Sequence, residues 1–406
     1  MNNLNPHILV VDDSNVQRDY TISLCKNCNL FNINSAVNGV DALHKLKTDH
    51  FDLAFIDLEM PEMDGVELLR QIAKLETPPH IIILSSLDSS LIISLKTMAQ
   101  VDGLSVLGSF KKPITIESIK HSLELFKTKK QGLNKQWNSK KVPFEQIQLA
   151  IHENKIELHY QPKLSIKGLI LNSVEALARW EITPGVFIPP SDFILVAEES
   201  GLIHQLTMNL YTKSLIQKKL WEKKGALFSL AVNISPFMLS DPLLPDQLIE
   251  ITKKHHIQPN SIIFEITENA LSQDQSTAIA SLAKLRMLGF GISIDDFGAG
   301  FANIQQLSRI PATELKIDRC LIENIHTDPH RQSILQSAVK LAKDLKLKIV
   351  AEGVEIHEEF IFLTDLNIDL VQGYYFAKPM DSNKLSQWIT QDLAPLRNKI
   401  IQTSKK

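Results

Sequence analysis

The chain has 406 residues, of which 44% are hydrophobic and 22% are charged. These proportions are typical of soluble globular proteins, and they exclude collagen-like, coiled-coil and disordered chains. A formal net charge of -3 excludes a broad basic surface for nucleic acid or anionic membrane. The N-terminus lacks the pattern of a signal peptide, and no apolar run is long enough for a membrane span, so we expect a cytoplasmic protein that does not insert into membranes.

Cysteine is sparse, with three residues in the chain, Cys25, Cys28 and Cys320. So small and odd a number does not predict a disulfide framework. Cys25 and Cys28 form a CxxC motif, but they fall inside an amphipathic helical pattern rather than at a helix-opening turn. We therefore interpret them as ordinary helix residues.

Apolar strand patterns alternate with helical patterns along residues 1–126. Five such units predict an α/β domain with a doubly wound parallel sheet, whose functional edge lies at the carboxyl ends of the strands. Residues 127–142 are rich in polar residues and are predicted to be a linker. Eight further strand patterns follow in residues 143–395, the number and length expected of a (β/α)8 barrel, and residues 396–406 are predicted to be a C-terminal tail.

Polar residues end the strands of the first domain. Asp12 and Asp13 end the first strand, Asp57 ends the third, Ser85 ends the fourth and Lys112 follows the fifth. Parallel strands bring these groups to one edge, where three carboxylates repel one another unless a divalent cation such as Mg2+ is bound. One carboxylate can then accept a phosphoryl group, which the hydroxyl and the ammonium group contact. This edge is predicted to be a phosphorylation site.

The first domain resembles the response-regulator receiver family, through the segments DLEMPEMDG after the third strand and KKP after the fifth. The resemblance implies that Asp57 accepts a phosphoryl group from a partner histidine kinase. It also implies that the two aspartates of the first strand and Asp57 hold Mg2+, and that Ser85 and Lys112 sense the phosphoryl group. Many receivers carry a switching aromatic residue three positions before the lysine, where this chain has Ser109.

Charged residues also collect at the strand ends of the second domain. Glu175, Leu177 and Arg179 share one side of a strand, as do Lys316 and Asp318 on another. Five further polar residues lie near strand ends: Asn233, Glu265, Asp295, Glu352 and Gln372. Buried carboxylates in such number require cations, and oxygen ligands without a Cys or His cluster favour two Mg2+ or Mn2+ ions over zinc.

Asp295 and Asp296 are consecutive, so both can reach one site only where the strand ends and turns. Gly298 and Gly300 favour that turn. Two adjacent metal ions activate water and stabilise the charge on a phosphodiester under attack. Lys316 and Arg179 are expected to neutralise the remaining charge, and the site therefore indicates phosphodiester hydrolysis.

The second domain resembles the EAL family of cyclic di-GMP phosphodiesterases over residues 143–395. The segments that carry the resemblance are YQPK, EALARW, VNIS, EITE, DDFGAG, LKID, AEGVE and QGYYFAKP. It implies an enzyme that hydrolyses cyclic di-GMP to linear 5′-pGpG with two Mg2+ or Mn2+ ions. It also implies a homo-oligomer, and the receiver in the same chain predicts regulation by phosphorylation.

The resemblance assigns roles to individual residues. Six residues would hold the metal ions: Glu175, Asn233, Glu265, Asp295, Asp296 and Glu352. The catalytic residues would be Glu352 as general base, Lys316 orienting the attacking water, and Glu175. Gln372 would position that water, and three residues would contact the substrate: Gln161, Leu177 and Arg179.

Two more acids have supporting roles by the same resemblance. Glu268 would anchor the DDFGAG loop, and Asp318 would lie beside the metal ligands without binding metal. The chain departs from the family after DDFGAG, where Tyr-Ser-Ser is usual and Phe301, Ala302 and Asn303 occur instead. The lost hydroxyl groups are expected to alter how this loop orders.

Other functions remain as alternatives. Each motif alone is common in structural contexts, since Glu-Ala-Leu favours helices and DDFG can form a turn. A non-catalytic cyclic di-GMP receptor would signal by binding alone, but such receptors are expected to lack metal ligands that are present here. A DNA-binding regulator would need a helix-turn-helix or a basic reading element, and neither pattern occurs, so no direct DNA binding is expected.

Overall fold

A computed structural model describes residues 6–86, 92, 95–96, 98–99, 102–133, 142–267, 275–299, 307 and 309–403. Contacts between residues divide the chain into two compact units, Met1–Gln136 and Trp137–Lys406. None of the helices in the described part of the chain is long and apolar enough to cross a membrane.

The first unit is built on a parallel sheet of five strands in the order β2-β1-β3-β4-β5. The strands are β1 (Ile8–Val11), β2 (Ile33–Ala36), β3 (Leu53–Asp57), β4 (His80–Ser85) and β5 (Val106–Lys111). Four helices have both ends within the described residues: α1 (Asn15–Asn27), α2 (Gly39–Thr48), α3 (Gly65–Ile72) and α4 (Ile116–Leu133). The central strands are almost wholly apolar and buried, as expected of a sheet covered on both faces. The predicted doubly wound sheet is therefore confirmed.

Side-chain caps fix where α1 and α3 begin. The hydroxyl of Ser14 accepts a hydrogen bond from the backbone of Gln17 at the start of α1. The carboxylate of Asp64 accepts one from Glu67 at the start of α3. Caps of this kind satisfy backbone N–H groups that have no partner within the helix.

The second unit is a closed barrel of eight strands in the order β6-β14-β13-β12-β11-β10-β9-β7, closed by pairing of β6 with β7. The strands are β6 (Ile156–Ser165), β7 (Leu171–Thr183), β9 (Ser229–Asn233), β10 (Ile262–Thr267), β11 (Gly291–Phe297), β12 (Glu314–Ile317), β13 (Lys348–Ala351) and β14 (Leu370–Val371). A short strand, β8 (Val186–Ile188), pairs with β7 outside the barrel. The predicted barrel is confirmed.

One strand departs from an all-parallel (β/α)8 barrel. β6 runs antiparallel to both of its neighbours, β7 and β14. The connection from β6 to β7 contains only residues 166–170, which is too short for the crossover that a parallel pair requires. The start of β6 therefore lies at the same mouth of the barrel as the ends of the other strands.

Helices surround the barrel: α5 (Phe144–His152), α6 (Pro190–Glu199), α7 (Ile203–Lys223), α8 (Leu244–Lys254), α9 (Gln275–Met287), α10 (Arg319–Ile322), α11 (Pro329–Asp344), α12 (His357–Thr364), α13 (Ser382–Gln387) and α14 (Leu393–Thr403). Their apolar sides pack on the outward-facing strand residues, for example Tyr211 against Phe264 and Trp180 against Phe193. α4 continues beyond residue 126 into the predicted linker, and α14 covers much of the predicted tail. The exact domain boundaries stay predictions.

Candidate functional site

The predicted receiver residues converge at the carboxyl edge of the first sheet. Carboxylate oxygens of Asp12, Asp13 and Asp57 lie within 4.8 Å of one another. The Nζ atom of Lys112 lies 2.7 Å from Asp12 Oδ2 and 2.7 Å from Asp57 Oδ2. Ser85 is buried at the end of the adjacent strand β4. The geometry thus brings these sequence-predicted residues to one edge.

Burial and the neighbouring charge of opposite sign have opposing effects on the pKa of Asp57 and on that of Lys112. Burial raises the pKa of Asp57 above its ordinary value, although the ammonium group of Lys112 acts in the opposite direction. Burial also disfavours the charged form of Lys112, but its bonds to Asp12 and Asp57 outweigh this effect and raise its pKa. The lysine therefore remains charged beside the predicted acceptor.

The mouth of the barrel carries two overlapping sets of carboxylates. Oxygens of Glu175, Glu265 and Asp295 lie within 4.8 Å of one another. A second set, Asp295, Asp296 and Glu352, meets the same limit. Asp295 belongs to both sets, so the arrangement offers two adjacent groups of oxygen ligands joined by one shared residue.

Local backbone geometry explains how two consecutive acids reach one site. Asp296 has a φ of 57°, and its backbone N–H donates to Asp295 Oδ1 at 2.9 Å. The next turn needs glycine, because Gly298 has a φ of 101° and a Cβ atom there would lie 2.5 Å from Leu321 Cδ1. The strand therefore ends in the predicted turn at Gly298, while Gly300 lies outside the described residues.

Lys316 lies at the centre of the carboxylates. Its Nζ atom is 2.9 Å from Asp295 Oδ1, 2.9 Å from Glu352 Oε1, 3.0 Å from Glu265 Oε2 and 3.5 Å from Glu175 Oε2. The side chain is 1% exposed. One ammonium group thus contacts four carboxylates in a region that contains almost no solvent.

This crowding separates the pKa values of the acids. Burial raises the pKa of Glu175, but Lys316 and Lys163 outweigh burial and lower it to about 2. Burial, together with neighbouring carboxylates, raises the pKa of Glu352 to about 8 and that of Asp296 to about 6. Glu352 is therefore a group that can hold a proton near neutral pH and release it when positive charge enters the site.

Amide side chains complete the edge of the site. Asn233 donates from Nδ2 to Glu175 Oε1 at 3.2 Å, and Gln372 donates from Nε2 to Glu175 Oε2 at 2.7 Å. Gln372 Nε2 also donates to Gln161 Oε1 at 3.0 Å. A Cβ atom at position 373 would lie 2.1 Å from the carbonyl oxygen of Val354, so Gly373 permits the close approach that follows Gln372.

Two adjoining clefts open at this mouth. One, of about 290 Å³, is lined by Gln161, Gln372, Lys316 and the carboxylates, and also by three residues that the sequence analysis did not select: Arg319, Glu355 and Tyr374. The other, of about 370 Å³ and mostly apolar, is lined by Leu177, Arg179, Asn233 and neighbouring residues of α6 and α7. Glu175, Leu177 and Asp295 line both clefts. The residues predicted to bind substrate thus surround the acids.

Of the two acids predicted to have supporting roles, the structure describes Asp318 but not Glu268. Asp318 lines the smaller cleft, and its carboxylate accepts a hydrogen bond from the backbone N–H of Cys320 at the start of α10. Glu268 lies outside the described residues, as do Phe301, Ala302 and Asn303. Their predicted effects on the loop stay predictions.

A second polar layer, which was not predicted from the sequence, lies beneath the acids. Lys163 is fully buried and binds Glu265, with Glu314 Oε1 at 3.5 Å from its Nζ atom. Glu314 in turn accepts a hydrogen bond from the hydroxyl of Ser293 at 3.0 Å. Barrel interiors are usually filled by branched apolar side chains, so this layer is a specific feature. The alternation of β6, which places Lys163 on the same side as Gln161, could have predicted it.

The chemistry of these groups fits divalent cations. All candidate ligands are oxygens from carboxylates and one amide, which suit Mg2+ and Mn2+ better than softer metals. The two lysines supply less positive charge than the surrounding carboxylates require. Divalent cations would correct that imbalance.

Comparisons with known proteins agree with this geometry. The sequence model of the EAL domain matches residues 145–379, and that of the response regulator receiver domain matches residues 8–124. Cyclic di-GMP phosphodiesterase RocR of Pseudomonas aeruginosa is 33% identical over 94% of this chain and 97% of its own length. Cyclic di-GMP phosphodiesterase PdeR of Escherichia coli is 35% identical over 60% of this chain, but over only 36% of its own length.

Solved structures are also similar to the barrel of this chain. The complex of the PaMucR phosphodiesterase with c-di-GMP has a TM-score of 0.56 and 36% identity, and covers 59% of this chain and 98% of that one. The match to the FimX EAL domain of Pseudomonas aeruginosa bound to c-di-GMP, at 24% identity and a TM-score of 0.54, shows the fold alone. With both family matches and the similarity to RocR over nearly the whole of both chains, the chain belongs to the EAL domain family and carries an N-terminal response regulator receiver domain.

Proposed function

We propose that this protein is a metal-dependent phosphodiesterase that hydrolyses cyclic di-GMP to linear 5′-pGpG. The observation that carries the proposal is the pair of carboxylate sets that share Asp295 around Lys316. This arrangement lies in a cleft bordered by the residues predicted to contact substrate. The named activities of RocR and PdeR support the choice of cyclic di-GMP as substrate.

We propose that Glu175, Asn233, Glu265, Asp295, Asp296 and Glu352 hold two Mg2+ or Mn2+ ions. The ions, when bound, would activate water and stabilise the charge on the phosphodiester. Glu352 accepts a proton from the attacking water, because bound cations would favour its ionised form, which can act as a base. Lys316 orients this water and neutralises charge on the phosphate, which its flexible ammonium group can reach once cations occupy the carboxylates.

The substrate contacts follow from the two clefts. Leu177 and Arg179 line the more apolar cleft, where a base and a phosphate would find apolar surface and a positive charge respectively. Burial lowers the pKa of Arg179, but guanidinium groups stay protonated at any physiological pH. We propose that Arg179 binds a phosphate and that Leu177 packs against the substrate.

The receiver domain supplies the proposed regulation. Asp57 is the acceptor for a phosphoryl group from a histidine kinase, with Mg2+ held by Asp12, Asp13 and Asp57. Lys112, which contacts Asp12 and Asp57 in this structure, would transfer its interaction to the phosphoryl group. We also propose a cytoplasmic location and a homo-oligomer of two or more copies.

The decisive experiment is incubation of the purified protein with cyclic di-GMP and Mg2+ or Mn2+, followed by separation of the products. Linear pGpG should form with either metal and should not form after chelation. Glu175→Gln, which keeps size but removes the charge of a ligand, is the matched control and should be inactive. Tight binding of cyclic di-GMP without product under either metal would favour the receptor alternative.

A further inference from the structure

Gln161 and Gln372 belong to a short chain of hydrogen bonds that ends at Glu175. Gln161 Nε2 donates to the carbonyl oxygen of Ala377 at 3.1 Å. Gln372 Nε2 donates to Gln161 Oε1 at 3.0 Å and to Glu175 Oε2 at 2.7 Å. Gln161 and Gln372 are 8% and 4% exposed, so these hydrogen bonds are almost completely shielded from water.

The two ends of this chain determine the orientation of both amides. A backbone carbonyl group can only accept hydrogen bonds, so the amide nitrogen of Gln161 must face Ala377. An ionised carboxylate can also only accept, so the amide nitrogen of Gln372 must face Glu175. The remaining contact between the two glutamines then joins the oxygen of Gln161 to the nitrogen of Gln372. A flip of either amide would place two acceptors against each other.

One consequence is an unsatisfied acceptor in the site. Gln372 Oε1 is buried and has no hydrogen-bond partner among the described residues. Gln372 lines the cleft of about 290 Å³ together with Lys316, Asp295 and Glu352. Buried polar atoms without partners are rare in folded proteins, and one on a residue that borders a polar cleft indicates a water or ligand that donates to it.

We propose that Gln161 is a positioning residue that acts through Gln372, fixing its amide so that Oε1 accepts a hydrogen bond from the water that attacks the substrate. The catalytic part of this inference rests on the proposed function, whereas the orientation of the amide does not. This role differs from the predicted one, in which Gln161 contacts the substrate directly. The two roles predict different kinetics.

A direct substrate contact and a positioning role predict different changes in kcat and KM. Gln161→Met keeps the length of the side chain but removes its acceptor, so that Glu175 alone holds the amide of Gln372. A positioning role predicts that kcat falls about 10- to 100-fold, as for other partners that orient site residues, with little change in KM. A substrate contact predicts a raised KM, as expected for Arg179→Met, which serves as the comparison. Gln148→Met, on the exposed side of α5, is the control for substitution itself.

A double-mutant cycle with Gln372→Met tests whether Gln161 acts through Gln372. If it does, the double variant should be no slower than Gln372→Met alone, because the second substitution removes an interaction that is already lost. Additive losses, or a loss confined to KM, would overturn the positioning role.

A second measurement does not depend on activity. In metal-free protein labelled with heavy nitrogen in glutamine side chains, both amide protons of Gln372 should exchange slowly with water, because both are donated within the chain. The Gln372→Glu variant identifies their signals. In Gln161→Met one of the two protons should lose its protection, whereas in Gln148→Met both should keep it. Unchanged protection in Gln161→Met would overturn the inference even if the protein proved to be a receptor without hydrolytic activity.

Discussion

The Nζ atom of Lys316 lies 2.9 Å from Oε1 of Glu352, in a site where both side chains are largely buried. The same ammonium group contacts Asp295, Glu265 and Glu175. It therefore holds together carboxylates that would otherwise repel one another. In the metal-free protein this lysine stabilises the arrangement of the proposed metal ligands, and the proposed cations would have to replace its contacts.

Substitution of Lys316 should thus affect stability as well as catalysis. Lys316→Met leaves buried carboxylates without their shared partner, a change that typically costs about 3–5 kcal/mol. We expect a marked fall in the midpoint of urea unfolding in the presence of a chelator, and partial recovery with Mn2+. Lys223→Met, which removes an exposed lysine of α7, is the control. Equal unfolding midpoints for Lys316→Met and the wild type without metal would contradict this account.

Glu352 should make the metal-free protein less stable as pH rises. Its folded pKa of about 8 lies above the ordinary value of 4.5, so the folded state binds more protons than the unfolded state between these values. This contribution is present below about pH 4 and is lost as pH rises through 8. The unfolding midpoint of the wild type, compared with that of Glu352→Gln, should therefore decline between pH 5 and about 9. A constant difference between the two proteins across this range would refute the raised pKa.

Metal binding should release protons for the same reason. At pH 7 Glu352 is mostly protonated in the metal-free protein, and a divalent ion beside it favours the charged form. Calorimetric titration with Mn2+ in buffers of different ionisation enthalpy should give a proton release that is absent or reduced in Glu352→Gln. Equal heats in all buffers would argue that Glu352 is ionised before metal binds.

The Lys163 layer should stabilise the barrel through charge pairing. Lys163→Met leaves Glu265 and Glu314 buried beside each other and should cost about 3–5 kcal/mol. Adding Glu314→Gln removes one of the two charges and should recover part of the loss. Urea unfolding of the single and double variants measures this coupling. If the loss of unfolding free energy in the double variant equals the sum of the losses in the two single variants, the pair does not interact as proposed.

Phosphorylation of Asp57 should change the rate of hydrolysis. A beryllofluoride adduct mimics the phosphoryl group and should alter kcat of the wild type but not of Asp57→Asn. Lys112→Met should still form the adduct but lose most of the response, because Lys112 is the cation that contacts Asp57. Identical kinetics of the wild type with and without the adduct would remove the regulatory part of the proposal.

Strand patterns and parity predicted much of this architecture. Both sheets, the strands of the barrel and the convergence of Glu175, Asp295, Lys316 and Glu352 follow from residues placed at strand ends. The antiparallel direction of β6 was not predicted, because an apolar alternation does not encode direction. The short connection between β6 and β7 was the available signal.

Contacts between distant residues were harder to predict. Lys163 and Glu314 are 151 positions apart, and only the closed barrel brings them together. The free oxygen of Gln372 likewise depends on partners at positions 161, 175 and 377, which no local pattern connects. The need for a turn implied that some residue near the end of β11 has a positive φ. The sequence did not indicate that this residue is Asp296.

The most direct test of hydrolysis is the reaction in heavy-oxygen water with Mn2+, analysed by mass spectrometry. Attack by water at phosphorus predicts linear pGpG with one heavy oxygen in its terminal phosphate, formed by the wild type and not by Glu175→Gln. Cyclic di-GMP that is bound but recovered intact and unlabelled would contradict the assignment of this barrel as a phosphodiesterase.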